Sequence, residues 1–256
     1  PTIVSRVYTI TDLCGNSATF TQTINIIDKT APVITGVLNT LNAEGCSAAS
    51  APAAVNTVSA LEGMGLSISD NCSLDGEMTV TSSDVSSGGC SAIVTRTYRI
   101  ADKCGNQNTA VQMIRVSDTT PPAISGTLKT LNSEGCSVAD AVAAVTTVSG
   151  LESMGVSISD GCTPDANILV TSTQTSTGTC PVVVTRTYTV TDACGNLANL
   201  TQTINVGDTT LPVAKGKNIT LSLTPQGTVS MTASAIDGGS TDNCSVKTLI
   251  ASQTTF

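Results

Sequence analysis

The chain has 256 residues, with 11 Lys+Arg against 19 Asp+Glu and no His. This acidic balance offers no basic patch for nucleic acid or anionic lipid, so the partner class excludes nucleic acid and favours cations, calcium above all. The absence of His removes the commonest general base and metal ligand, and with no Trp, three Tyr and two Phe, aromatic stacking platforms for sugars or bases are not expected.

In chain order, Ile3-Val4-Ser5-Arg6-Val7-Tyr8-Thr9-Ile10 already reads as a strand, so residues 1–30 are read as the C-terminal part of a truncated repeat, with any export signal expected outside this sequence. Residues 31–120 and 121–210 agree at 50 of 90 positions without gaps, and each is expected to be a complete domain. Within the first, 33–41 predicts a strand. Residues 52–63 predict one short helix, with Val55, Val58 and Leu61 on one face and Pro52 in the first turn. Leu66–Ser69, Met78–Ser83, Ser91–Ile100 and Ala110–Ser117 predict further strands, with Cys104-Gly105-Asn106 as a tight turn. Residues 211–256 begin a divergent module from Lys217-Asn218-Ile219-Thr220 and regain the pattern at Asp242-Asn243-Cys244. The fold class is therefore all-β: tandem immunoglobulin-like sandwich modules, each with one short helix, expected to stack as a rod. No apolar run approaches the ~20 residues of a membrane helix, so no membrane insertion is expected in this segment.

Ten Cys with no His and no Cys-x-x-Cys pair point to structural disulfides in an oxidising compartment rather than zinc. Strand directions place Cys72 and Cys104 at one end of a repeat and Cys46 and Cys90 at the other. They predict Cys46–Cys90, Cys72–Cys104, Cys136–Cys180 and Cys162–Cys194, with Cys14 and Cys244 unpaired by truncation. The same directions put Glu44 near Arg96 and Glu134 near Arg186, as candidate ion pairs.

Carboxylates recur where modules meet: Asp28, Asp70 and Asp102; Asp118, Asp160 and Asp192; Asp208 and Asp242. Oxygen-rich convergence of this kind is the chemistry of a calcium site, and the competing reading is that each Asp caps its own turn. Such pairs repeating every 90 residues, without His, do not suit an enzyme, and no catalytic residue is assigned.

The combination Asp-Asn-Cys, then Thr-Tyr-x-Ile/Val-x-Asp-x-Cys-Gly-Asn, then Asp-Thr-Thr-x-Pro resembles hyalin-repeat (HYR-like) modules. These are immunoglobulin-like repeats of long cell-surface proteins of Bacteroidetes, including gliding-motility adhesins. The resemblance implies an extracellular adhesive or fibrous role with export by the type IX route. It also makes Thr119 and Thr209, in Asp-Thr-Thr, candidate O-glycosylation acceptors. The leading functional expectation is a structural stalk or filament segment whose partners are other repeats of the same chain. The alternatives are a self-assembling fibre or sheath subunit, and a module binding polysaccharide or protein.

Overall fold

Alternation of inward and outward side chains decides the strands. In Ser91–Ala101 the residues Ala92, Val94, Arg96, Tyr98 and Ile100 are buried, and their neighbours lie nearer the surface. The structure, a computed structural model, describes residues 2–255 and divides into two compact units, Pro1–Thr119 and Thr120–Phe256.

The first unit opens with an antiparallel hairpin, β1 (Thr2–Thr11) and β2 (Ser17–Ile26). There follow β3 (Val33–Gly36), β4 (Leu41–Glu44), helix α1 (Val58–Gly63), β5 (Leu66–Ser69), β6 (Thr79–Ser87), β7 (Ser91–Ala101) and β8 (Gln107–Ser117). One sheet has the order β4-β8-β7-β6, with β4 parallel to β8, and the other pairs β3 with β5. Leu66 and Ile68 from the small sheet meet Val80, Tyr98 and Ile100 from the large one, with Val58 and Leu61 of α1 closing the core. That is an immunoglobulin-like β-sandwich. Burying each such side chain contributes roughly 1.5–3 kcal/mol.

The second unit repeats the plan. It contains β9 (Ala123–Gly126), β10 (Leu131–Glu134), α2 (Val148–Glu152), β11 (Val156–Ser159), β12 (Leu169–Thr177), β13 (Val182–Thr191) and β14 (Leu197–Gly207). The large sheet runs β10-β14-β13-β12 and the small one pairs β11 with β9. Residues 211–256 follow in irregular form, with bridges Val213↔Thr241 and Gly216↔Asp237, and no described residue beyond Val206 is buried.

The strand expected over 33–41 stops at Gly36; residues 37–40 are irregular, and the next strand, in the other sheet, begins only at Leu41. At Gly36, φ is 90° and a Cβ would run into the Gly65 carbonyl, so glycine lets the chain leave the small sheet for the large one. The helix expected over 52–63 begins only at Val58, because Thr57 caps it: its Oγ1 accepts from the Ala60 N–H at 3.2 Å. Upstream, the Pro52 carbonyl accepts from Arg96 Nη1 at 2.8 Å.

Arg96 is buried, and its guanidinium grips Asp84 through two bonds of 2.9 Å (Nε to Oδ1, Nη2 to Oδ2). Asp84 faces Arg96 across the β6–β7 ladder. The expected Arg96–Glu44 and Arg186–Glu134 pairs therefore give way to partners on the same hairpin. Arg186 uses Gln174, Asp84's counterpart, and leaves its buried Nη1 without a hydrogen bond. Glu44 and Glu134 turn instead to Thr119 and Thr209.

Candidate functional site

The Asp-x-Cys-Gly-Asn turn is built by its aspartate. Asp102 Oδ1 accepts from the N–H groups of Cys104 (2.8 Å) and Asn106 (2.9 Å), and Oδ2 accepts from Asn106 Nδ2 (2.8 Å). Gly105 supplies the positive φ of 93° that lets the chain reverse. Asp12 and Asp192 make the same turns. Burial raises the Asp102 and Asp192 pKa, but the asparagine and backbone donors outweigh it and hold both carboxyls below their ordinary range.

A second turn faces the first. Asp70 Oδ1 accepts from the N–H groups of Cys72 (2.9 Å) and Ser73 (2.8 Å). Buried Ser73 then accepts from the Lys103 N–H at 3.3 Å, tying the two turns together. Asp160 and Thr163 repeat this arrangement, with Thr163 accepting from the Ala193 N–H. Asp28, just past β2, accepts from the Thr30 N–H at 3.0 Å through Oδ1.

Asp28, Asp70 and Asp102 thus converge, each offering one carboxylate oxygen within 4.8 Å of the others. The capping reading holds for the Oδ1 atoms of all three. It does not account for Asp28 Oδ2 and Asp70 Oδ2, which are buried and have no hydrogen-bond partner. An unsatisfied buried carboxylate oxygen is costly, and a hard cation that takes 6–8 oxygen ligands would satisfy both. Their chemistry fits calcium.

In the second unit Asp208 and Asp242 come together with Cys244 within the same distance. Asp208 Oδ1 accepts from the Thr210 N–H, and Asp242 Oδ1 from the N–H groups of Cys244 and Ser245. Here the sulfur is no ligand, because Cys244 is bonded to Cys136, 108 residues away. Two carboxylates remain, a poorer cation set than the triad of the first unit. Asp118 is buried just after β8, and its N–H donates to the Cys90 carbonyl.

The Cys136–Cys244 bridge corrects two expectations at once. Cys136 does not pair with Cys180, and Cys244 is not unpaired. Cys72–Cys104 is also overturned, since both are free thiols, as are Cys14 and Cys180. Cys46, Cys90, Cys162 and Cys194 are disulfide-bonded. Strand direction brings Cys72 and Cys104 close to one another, but closeness at one end is not a bond. Burial pushes the Cys72 thiol up, and the charges of Asp28 and Asp70 push it further. Cys72 and Cys104 line a surface pocket with Thr2, Ile26, Asp28 and Lys103.

Glu134 stands beside the bridge. The Thr209 hydroxyl and N–H donate to it, with Thr210 adding a third donor, and they draw its pKa down to about 2. Asn243 Nδ2 reaches the same carboxylate at 3.3 Å. Thr119 makes the equivalent bond to Glu44 at 2.6 Å. Both candidate glycosylation hydroxyls are thus held by a glutamate.

No protein-family model matches the chain, and no curated protein matches it. Among solved structures it is similar to the protocadherin gammaB4 extracellular domain, at 14% identity over 88% of this chain and 41% of that one, with a TM-score of 0.30. The human desmocollin-1 ectodomain shares 10% over 84% of this chain and 49% of that one, with a TM-score of 0.26. The protocadherin gammaB7 EC3-6 cis-dimer structure shares 13% over 88% of this chain and 62% of that one, with a TM-score of 0.29. The chain thus spans between 41% and 62% of the length of these three.

Proposed function

We propose that this chain is a structural segment of an extracellular, adhesion-type protein of HYR-like repeats, serving as scaffold rather than as a catalyst. The observation that carries this reading is repetition of the scaffold itself. Tyr98 and Tyr188, Leu61 and Leu151, and Ile114 and Ile204 fill the same core positions 90 residues apart. The residues that vary lie mainly outside that core, as in Asp84 against Gln174 or Lys103 against Ala193. Disulfide bonding supports an oxidising, extracellular setting. Among the described residues no helix is long and apolar enough to cross a membrane. Antibody raised against this chain should label intact, unpermeabilised cells of the source organism. Labelling that appears only after permeabilisation would contradict the assignment.

Calcium belongs to the same reading, with Asp28, Asp70 and Asp102 as its ligands. Titration calorimetry of the chain with calcium should show binding that Asp70→Asn weakens at least tenfold, about 1.4 kcal/mol. Chelation should lower the melting temperature of the parent chain but not that of the variant. No heat of binding, together with a melting curve indifferent to chelator, would leave the three carboxylates as turn caps alone.

A further inference from the structure

Among the described residues β8 and β14 each carry a second, parallel neighbour, and β2 pairs with β1 alone. Residues 21–25 of β2, Thr-Gln-Thr-Ile-Asn, are identical to residues 201–205 of β14. In the second unit β14 lies between β13 and β10, with Leu131 opposite Ile204 and Glu134 opposite Gly207 in a parallel ladder. In the first unit β8 carries β4 in the same register, with Leu41 opposite Ile114. At β2 the corresponding edge, beginning at Ile24, bears no strand among the described residues. The consequences are visible in the side chains. Ile26 and Ile27 are 55% and 54% exposed. Gln112 and Gln202 are buried and donate to the Asn39 and Lys129 carbonyls just before β4 and β10, whereas Gln22 is exposed and accepts from the Tyr8 hydroxyl.

Cys72 repeats the pattern in covalent form. Asp70-Asn71-Cys72-Ser73 and Asp242-Asn243-Cys244-Ser245 are the same tetrapeptide, folded by the same aspartate bonds. Asp28 stands by the first as Asp208 stands by the second. Cys244 is bonded to Cys136, which lies two residues after β10, while Cys72 is an exposed free thiol.

We propose that the β2 edge and Cys72 together form an acceptor site for a Leu-x-x-Glu-Gly-Cys segment of a preceding repeat. The segment would add to β2 as a parallel strand, its Leu opposite Ile24, and its Cys would bond Cys72. Lys29 stands where Thr119 and Thr209 meet Glu44 and Glu134, so the incoming Glu would meet an ammonium group there. Strand addition supplies backbone hydrogen bonds along the edge and the disulfide makes the joint permanent. The site stands on the strand register and the Cys244 precedent, independently of the adhesion reading and of calcium.

The test uses the whole chain and a synthetic peptide of residues 128–138, Leu-Lys-Thr-Leu-Asn-Ser-Glu-Gly-Cys-Ser-Val. Its single Cys is supplied as a mixed disulfide with thionitrobenzoate. A protein thiolate attacks the peptide sulfur, the new disulfide forms, and thionitrobenzoate departs as the thiolate, so no further oxidant is needed. Mass spectrometry then locates the peptide. It should accumulate on Cys72 about tenfold faster than on Cys14 or Cys180, because docking raises its effective concentration there. A scrambled peptide of equal composition should lose that preference, and so should Ile24→Asp, on a strand face that is already partly exposed. Even distribution over the four free thiols, preference for Cys104, an internal Cys72–Cys104 bond, or equal selectivity of the scrambled peptide would each overturn the proposal.

Discussion

Replacing both Cys136 and Cys244 by Ser should release residues 211–256 from the second unit while the sandwich of 121–210 stays folded. The bridge closes a loop of 108 residues, for which the chain-entropy model gives roughly 4–5 kcal/mol. The two sides of the bridge do not depend on it equally. Residues 121–210 have their own core of Leu151, Ile158, Val170, Tyr188 and Val190. The described residues beyond 210 have none: Leu211, Leu223 and Ile250 are 83%, 63% and 88% exposed, and isolated bridges replace a sheet. Hydrogen exchange should therefore accelerate by orders of magnitude at the Val213 and Lys217 amides, which bond to Thr241 and Ile236. Protection along β13 and β14 should persist. Unchanged exchange at Val213 and Lys217 in the double variant would show that noncovalent contacts hold the segment.

Tyr188→Ala should destabilise the 121–210 sandwich by about 3–5 kcal/mol, the range for emptying an aromatic-sized core site. The ring is fully buried among Val145, Ile168 and Leu200, and its hydroxyl accepts from the Val145 N–H at 3.4 Å. With domain stabilities of roughly 5–15 kcal/mol, that loss consumes much of the margin. Tyr8 provides the internal control. It occupies the same place in the Tyr-x-Ile/Val-x-Asp-x-Cys-Gly-Asn motif but is 41% exposed in the hairpin, so Tyr8→Ala should cost well under half as much. Urea denaturation followed by circular dichroism distinguishes them. Equal midpoint shifts for the two variants would mean that the hairpin tyrosine is packed as its repeats are.

Much of the fold was legible because it is repeated. The 90-residue period, the β7 and β8 alternation and the Gly105 turn follow from residue pattern alone, and strands such as Leu66–Ser69 fall where expected. Short elements were less legible. The single run 33–41 does not reveal that its strand stops at Gly36, which closely approaches the Gly65 carbonyl, or that Leu41 opens a strand of the other sheet. Arg96 pairs with Asp84 rather than Glu44 because the cross-strand register sets them face to face. At the candidate site, the gathering of Asp28, Asp70 and Asp102 could be read from strand direction. The bonding of Cys72, Cys104, Cys136, Cys180 and Cys244 could not, because direction fixes which end a thiol occupies and not which neighbour closes on it. The identity of Asp70-Asn71-Cys72-Ser73 with Asp242-Asn243-Cys244-Ser245 was the available signal. It treats Cys244 as an ordinary member of the pattern, needing a partner from the repeat before it.

A disulfide joins one repeat to the segment after it. It can be read from non-reducing peptide maps of the oxidised chain, with free thiols alkylated first and pepsin digestion at low pH to suppress exchange. The predicted result is a cross-linked pair containing Gly135-Cys136 and Asn243-Cys244, with alkylated Cys14, Cys72, Cys104 and Cys180. A Cys136–Cys180 pair, or alkylated Cys244, would contradict it.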